Sequence, residues 1–339
     1  MIATCRAIVR EVLAPELDET VWQWAERNID YARAPSYDSE WKGPYQISYM
    51  PYLKEPLEAC TDDAIKEVWM WACTRGGKTE NLLLTTMRYM IAVRPPYSML
   101  YIGAQEYKVS QVFSRRIVRG MALSYETAAR MRSAHVGQCT IDFDGLCDFI
   151  AGWATNKQIA KGDSYPVIFA DEVSSWPSFK ADTLRERQAT VAFPKLIGVS
   201  SADAESRRTS DEDPIIQEWE NTDRREFTMP DPGAPGKRFG YVMGGRDMPH
   251  GVKWHQGAKR EDGTWDVEVV ENTAYYQTPG GTRIEEKDRL ALLAEGAWEP
   301  TAASVPYKRG YRVTRMMTPF PTGRFGNMAR AFIDRKSVV

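Results

Sequence analysis

The chain has 339 residues, 43% of them hydrophobic and 27% charged, the make-up of an ordinary folded protein with room for a large core or about two domains. Its formal net charge of −2 supplies no global field for nucleic acid, so any such contact must come from local patches. No apolar run is long enough to cross a bilayer and no signal-peptide pattern opens the chain, while five cysteines without Cys-x-x-Cys spacing read as free thiols of a reducing cytoplasm.

In chain order, residues 1 to about 30 read as helical, with Val9, Val12, Leu13, Leu17, Val21, Trp22 and Trp24 spaced as one or two amphipathic faces. Residues 31–45 are loop-like, rich in Pro, Ser, Gly and Tyr, and lead into a helix through Leu57. Tyr45, Gln46, Tyr49 and Tyr52 in this lead-in are candidates to hold a nucleobase by stacking and edge hydrogen bonds. A packed aromatic loop is the alternative reading.

Val68 to Thr79 reads as a short buried strand running into a phosphate-binding loop, with a helix following from about Glu80 to Met90. In such a loop consecutive backbone N–H groups converge on a phosphate, and the helix N-terminus behind them favours the anion. The nucleotide-binding candidates are therefore Thr74, Arg75, Gly76, Gly77, Lys78, Thr79 and Glu80. Gly76 and Gly77 allow the tight backbone, Lys78 would reach the β- and γ-phosphates, and the Thr79 hydroxyl would hold Mg²⁺. The strict Walker A pattern has glycine where this chain has Ala72, and a glycine turn between a core strand and a helix is the plainer alternative.

Residues 97–103 read as a strand. The helix expected over 106–123 carries Lys108, Arg115, Arg116 and Arg119. Arg115 and Arg119 share a face that could grip a phosphate backbone or a neighbouring subunit's nucleotide, or could simply be solvated. Thr140 to Ala154 suggests a β-hairpin turning at Asp144-Gly145, followed by a polar loop over 155–163.

Pro166 to Glu172 (Pro-Val-Ile-Phe-Ala-Asp-Glu) is an apolar β-branched run ending in two carboxylates, a Walker B pattern. The first acid would sit against Mg²⁺, and the second could polarise the attacking water as general base. Paired with Gly-Gly-Lys-Thr, this favours ATP hydrolysis over an ordinary core strand. Leu196 to Ser200 is another short strand, whose Ser200-Ser201-Ala202 tip could sense the γ-phosphate and relay its loss. Strands alternating with helices, with the chemistry at strand C-termini, imply a mostly parallel sheet covered on both faces.

A helix over about 211–220 ends that pattern, and from Met229 the chain turns loop-rich. Strand candidates there are Asp266–Val270, Ala274–Gln277 and Gly310–Thr314, with a helix over 284–295. Trp254, Trp265 and Trp298 would form the core of a small mixed subdomain. The reading is thus an α/β P-loop NTPase of the ASCE type over 1–225, with a helical lead-in over 1–45, and a small mixed α+β linker or lid subdomain over 226–339.

With these parts in this order, the chain resembles the large terminase subunit of tailed bacteriophages, in its lambda-like branch. The residues carrying the resemblance are the aromatic Pro-Tyr segment before the loop, Arg75-Gly-Gly-Lys78-Thr79, the strand over 98–103, Ile168-Phe-Ala-Asp171-Glu172-Val and Val199-Ser-Ser-Ala. They continue with the segment over 215–225, Gly296-Ala-Trp298-Glu-Pro300 and the run from Gly310 to Phe320. The similarity runs from about residue 15 to about residue 335, and its strength lies in the ordered set.

The resemblance implies a motor that hydrolyses ATP with Mg²⁺ to push double-stranded DNA into a procapsid in the host cytoplasm. Its partners would be the portal, the small terminase subunit and further copies of the chain in a ring, with no membrane. An isolated chain could still be a monomer. Arg75 would be a cis arginine stabilising charge on the transferred phosphoryl group, and Ser200, Ser201 and Ala202 match the coupling segment. Two departures matter. Family members often carry a Cys-x-x-Cys element where this chain reads Tyr275-Tyr-Gln277-Thr-Pro-Gly280-Gly281, so no zinc is expected. The family's C-terminal nuclease domain would begin about where this sequence stops, so nuclease activity is not expected of it. A helicase-like translocase and a non-hydrolysing nucleotide-binding module are the competing readings. The former normally needs a second motor domain, and Glu172 argues against the latter.

Overall fold

In a computed structural model, residues 19–37, 41–145, 147–156, 164–177, 181–202, 212–244 and 248–336 are described. The strands are β1 (Glu67–Ala72), β2 (Ser98–Gly103), β3 (Met131–His135), β4 (Thr140–Phe143), β5 (Cys147–Trp153), β6 (Val167–Asp171) and β7 (Lys195–Ser200). Later come β8 (Arg225–Pro230), β9 (Arg238–Phe239), β10 (Gly251–Lys253), β11 (Tyr275–Gln277), β12 (Arg283–Ile284), β13 (Ala297–Pro300) and β14 (Lys308–Val313).

Among the described residues, the central sheet has eleven strands in the order β13-β8-β14-β1-β7-β6-β2-β5-β4-β3, with β9 added on β8. From β8 through β14, β1, β7, β6 and β2 to β5, neighbours run parallel; antiparallel pairing appears only toward the two edges. β7 therefore lies between the strand that leads into the glycine loop and the strand that ends in the acid pair. This is the additional-strand arrangement expected of the ASCE type.

Alternation along the strands divides their side chains between two cores. On one face Val68, Met70, Tyr101, Phe169 and Val199 pack with Leu82, Leu83, Met87, Ile91 and Phe113. On the other, Trp69, Leu100, Ile102, Ile168 and Leu196 pack with Trp176, Leu184, Ile215 and Ile216. Gly198 is required by this packing, because a Cβ there would lie 2.0 Å from the Trp69 ring.

The strands over 98–103 and 195–200 form close to their expected bounds, as does the hairpin β4–β5 with its turn at Asp144-Gly145. Of the expected first helix, residues 1–18 lie outside the described residues; Val21–Asn28 is helical and begins on a Thr20 capping box. Part of the loop expected over 155–163 likewise lies outside them. Two expectations need correction. Asp266–Val270 is not a strand: Asp266 caps a helix over Val267–Thr273 by accepting from the Val269 N–H, so local capping outweighs the β-branched composition. The helix expected over 284–295 is shorter, because Ile284 pairs with Tyr276 in β12–β11 and the α-helix starts only at Arg289.

The boundary expected from the sequence lies at 225/226. Strands β8, β13 and β14 lie at or past it and bond into the same sheet as β1, while β10, β11 and β12 form a separate three-stranded sheet. Trp298 is buried, edge-on to Tyr311 and Phe227, and its indole N–H donates to the Tyr52 carbonyl. Trp254 and Trp265 are only partly buried and pack edge-on to each other.

Candidate functional site

β1 closes on fully buried Ala72, and the chain turns through Cys73 to Gly77 before re-entering a helix. Arg75 (φ 64°) and Gly77 (φ 84°) both take left-handed backbone, and the Gly76 N–H donates to the Cys73 carbonyl at 3.0 Å. Gly77 is dictated twice over. Besides its φ, a Cβ would lie 2.8 Å from Leu53 Cδ1 and 3.0 Å from Met50 Sδ. The helix begins with a wide π-type turn over Lys78–Leu84 and continues as α-helix from Thr85 to Val93.

Behind that loop, three strand ends bring the polar groups together. Lys78 is 7% exposed, and its Nζ lies 3.0 Å from Ser201 Oγ and 3.1 Å from Glu172 Oε1. The Thr79 hydroxyl lies 3.2 and 3.1 Å from the two Asp171 carboxylate oxygens. Asp171 also accepts from the Tyr101 hydroxyl at 2.6 Å, and its carbonyl accepts from the Trp176 indole at 3.0 Å. Alternation explains the tyrosine: Gly103 stands one register step beyond Ile102↔Ala170, so Tyr101 projects from the same face as Asp171 on the adjacent strand. Ser200 Oγ sits 3.3 Å from Glu172 Oε2 and accepts from the Ser174 N–H at 3.2 Å.

The two acids differ in setting. Burial, followed by the neighbouring Glu172 charge, raises Asp171 to about 6, against the opposing effect of Tyr101, Lys78 and Thr79. Burial and then the Asp171 charge push the Tyr101 phenol well up, which keeps it a neutral donor to that carboxylate. Glu172 takes left-handed backbone (φ 53°), which turns the chain sharply off the strand, and its side chain is 41% exposed.

Other candidates fall elsewhere. Thr74 and Arg75 are exposed on the loop, and the Arg75 guanidinium lies 5.7 Å from the Phe320 ring centroid. Glu80 does not face the loop. Its carboxylate is held by Arg88 Nη1 at 2.8 Å and by the Tyr37 and Tyr31 hydroxyls. Gln46 is exposed, Tyr45 is buried, and Tyr49 stacks on Trp41 at 5.2 Å; all three line a small aromatic pocket with Asn81. Tyr52 departs from the nucleobase expectation, because it is fully buried, edge-on to Phe227, with no face left to offer a base. Ala202 packs at the rim of the second core.

Sequence reasoning missed Tyr101, Trp41, Phe320 and the Arg88–Tyr37 pair. A fully buried strand shows no polar alternation to single out Tyr101. The other contacts join residues far apart in the chain.

Among the described residues, no group of three His, Cys, Asp or Glu is placed to hold a metal ion. A hydroxyl and a carboxylate converging at Thr79 and Asp171 are the hard oxygen donors that suit Mg²⁺ completed by phosphates and water.

A mostly parallel sheet flanked by helices, with a glycine loop on one strand and an acid pair two strands away, defines a P-loop NTPase fold. The profile of the family described as phage terminase large subunit gpA, ATPase domain, matches residues 39–298. The chain belongs to that family. No curated protein matches it. Among solved structures it is similar to the large terminase of bacteriophage HK97, at 14% identity and a TM-score of 0.46 over 59% of this chain and 40% of that one. It is similar to the large terminase ATPase domain of Thermus phage P74-26 (14%, TM-score 0.36, 48% of this chain and 66% of that one). It also resembles the large terminase of a thermophilic bacteriophage, solved in complex with ADP (17%, TM-score 0.34, 43% and 38%). The chain thus spans 40% of the HK97 terminase and 38% of the terminase solved with ADP.

Proposed function

We propose that this terminase ATPase domain hydrolyses ATP at the junction of β1, β6 and β7 and so drives double-stranded DNA into a procapsid. The observation that carries the reading is the convergence of Lys78, Thr79, Asp171, Glu172 and Ser201 from three adjacent strand ends. The backbone of 73–79 cradles the phosphates, and Lys78 grips the β- and γ-oxygens. Thr79 and Asp171 would hold Mg²⁺, which when bound would offset phosphate charge. Tyr101 fixes the Asp171 carboxylate by hydrogen bonding. As the γ-phosphate takes up the Lys78 ammonium, Glu172 is freed from its ion pair to accept a proton from water. The water oxygen bonds the γ-phosphorus, and the bond to the β–γ bridging oxygen breaks with its electron pair leaving on ADP. Arg75 offers a further positive charge once it leaves the Phe320 ring.

Ser200 and Ser201 bridge Glu172 and Lys78 to β7, a route by which loss of the γ-phosphate reaches the sheet. The aromatic pocket of Tyr45, Gln46 and Tyr49 beside Asn81 is the proposed nucleobase seat. The working assembly is a ring of copies acting with the portal, the small terminase subunit and duplex DNA in the host cytoplasm. The test is Mg²⁺-dependent ATP hydrolysis over a protein-concentration series, with and without linear duplex DNA. Turnover that rises with concentration or DNA is the expected result. A protein that binds ATP but never turns it over contradicts the reading.

A further inference from the structure

Beside Glu172 opens a cleft of about 310 Å³, of which the hydrolytic groups account for only one wall. Thr79, Tyr101, Asp171 and Glu172 form that wall; Lys108, Gln111, Arg115 and Arg116 form the other. The second set comes from the helix after β2, which runs over Glu106–Val112 and continues as a π-type segment over Phe113–Val118. Lys108, Gln111 and Arg115 follow the i, i+3, i+7 spacing of one helical face. Among the described residues, no ion pair or hydrogen bond engages Lys108, Arg115 or Arg116, whereas Arg119 on the same helix donates to the Ser36 carbonyl. The opposing acids are already engaged by Lys78, Thr79, Tyr101 and Ser200. Both sets line the same cleft, and among the described residues no ion pair or hydrogen bond joins them.

We propose that this cationic wall is an oxyanion site that receives inorganic phosphate after hydrolysis. The proposal rests on the reading that ATP is cleaved at Lys78–Glu172. After cleavage, ADP still occupies the loop over 73–79, while the cleft opens directly from Thr79 and Glu172. A phosphate dianion beside Asp171 and Glu172 is repelled by them and drawn to the opposite wall, where guanidinium forks suit bidentate phosphate contacts. Lys108 and Arg115 are exposed, so their hold is screened and reversible, as a release route requires.

The test is the Arg115→Gln/Arg116→Gln double variant beside wild type, with inorganic phosphate as the probe. Phosphate binding is read by ³¹P NMR line broadening with ADP present, phosphate inhibition from steady-state turnover, and the chemical step from single-turnover quenched flow. In the variant, phosphate binding and inhibition should both weaken by about tenfold or more, from lost charge-assisted hydrogen bonds, with the chemical step unchanged. Equal phosphate binding in both proteins overturns the proposal, as does a matching fall in the chemical step, which would make the arginines part of cleavage. Loss of binding to a short DNA duplex with phosphate binding intact overturns it too, by assigning the wall to the DNA backbone. The NMR arm needs no turnover, so an inactive wild type would sink the hydrolysis reading while leaving this site separately testable.

Discussion

Two glutamates lie close to Lys78, Glu80 in sequence and Glu172 in space, and their surroundings are opposite. Glu80 is 14% exposed and locked by Arg88, itself 0% exposed, with Tyr37 bonded to both. Burial opposes the Arg88 charge, but Glu80 and then Tyr37 carry its pKa above the ordinary arginine range. Glu172 is 41% exposed, perched on left-handed backbone and, among the described residues, held by Lys78 and Ser200. Both stand beside residues of the same loop. The difference teaches which carboxylate fixes the loop's position and which is free to change partners during a reaction. Residue type and proximity to Gly-Gly-Lys-Thr do not separate them; their partners do.

The contrast can be broken by substitution. The largest expected effect is on Glu172→Gln, which should lower ATP turnover by about a hundredfold or more while leaving nucleotide binding and thermal stability near wild type. Preserved turnover would remove Glu172 from its role. Next comes Glu80→Gln, which leaves the buried Arg88 without its counter-charge and should cost about 3 kcal/mol of stability by denaturant unfolding. An unchanged unfolding midpoint would show that the buried pair contributes nothing.

A smaller effect is expected from Tyr101→Phe, which removes one hydrogen bond to the Asp171 carboxylate. The Mg²⁺ requirement for turnover should rise by roughly tenfold, with stability little altered. The smallest belongs to Tyr52→Phe. The Tyr52 hydroxyl is buried without a hydrogen-bond partner among the described residues, so its removal should be neutral or slightly stabilising, within about 1 kcal/mol. Nucleotide affinity should not move. A loss of affinity would reinstate Tyr52 near the base.

Much of the sheet was legible because buried β-branched runs bounded by Gly, Pro and acids define strands by composition. The glycine loop was legible because its tight turn needs glycine, and the acid pair and the Ser200–Ala202 tip because polar residues end the buried strands β6 and β7. The partnership of β14 with β1 was not, since the register Trp69↔Gly310 joins residues on opposite sides of the drawn boundary. Asp266–Val270 misled because three valines favour a strand, while one aspartate cap starts a helix. Glu80 and Tyr52 misled for a shared reason. Closeness in sequence to a site says nothing of which way a side chain turns, and both turn into the core.

The most direct test is the rate of ATP hydrolysis per folded molecule for Glu172→Gln beside Glu80→Gln, at saturating Mg²⁺ and below the melting point of either variant. The account predicts a fall of about a hundredfold or more for Glu172→Gln and a rate close to wild type for Glu80→Gln. Equal losses in the two variants, or normal turnover by Glu172→Gln, would contradict it.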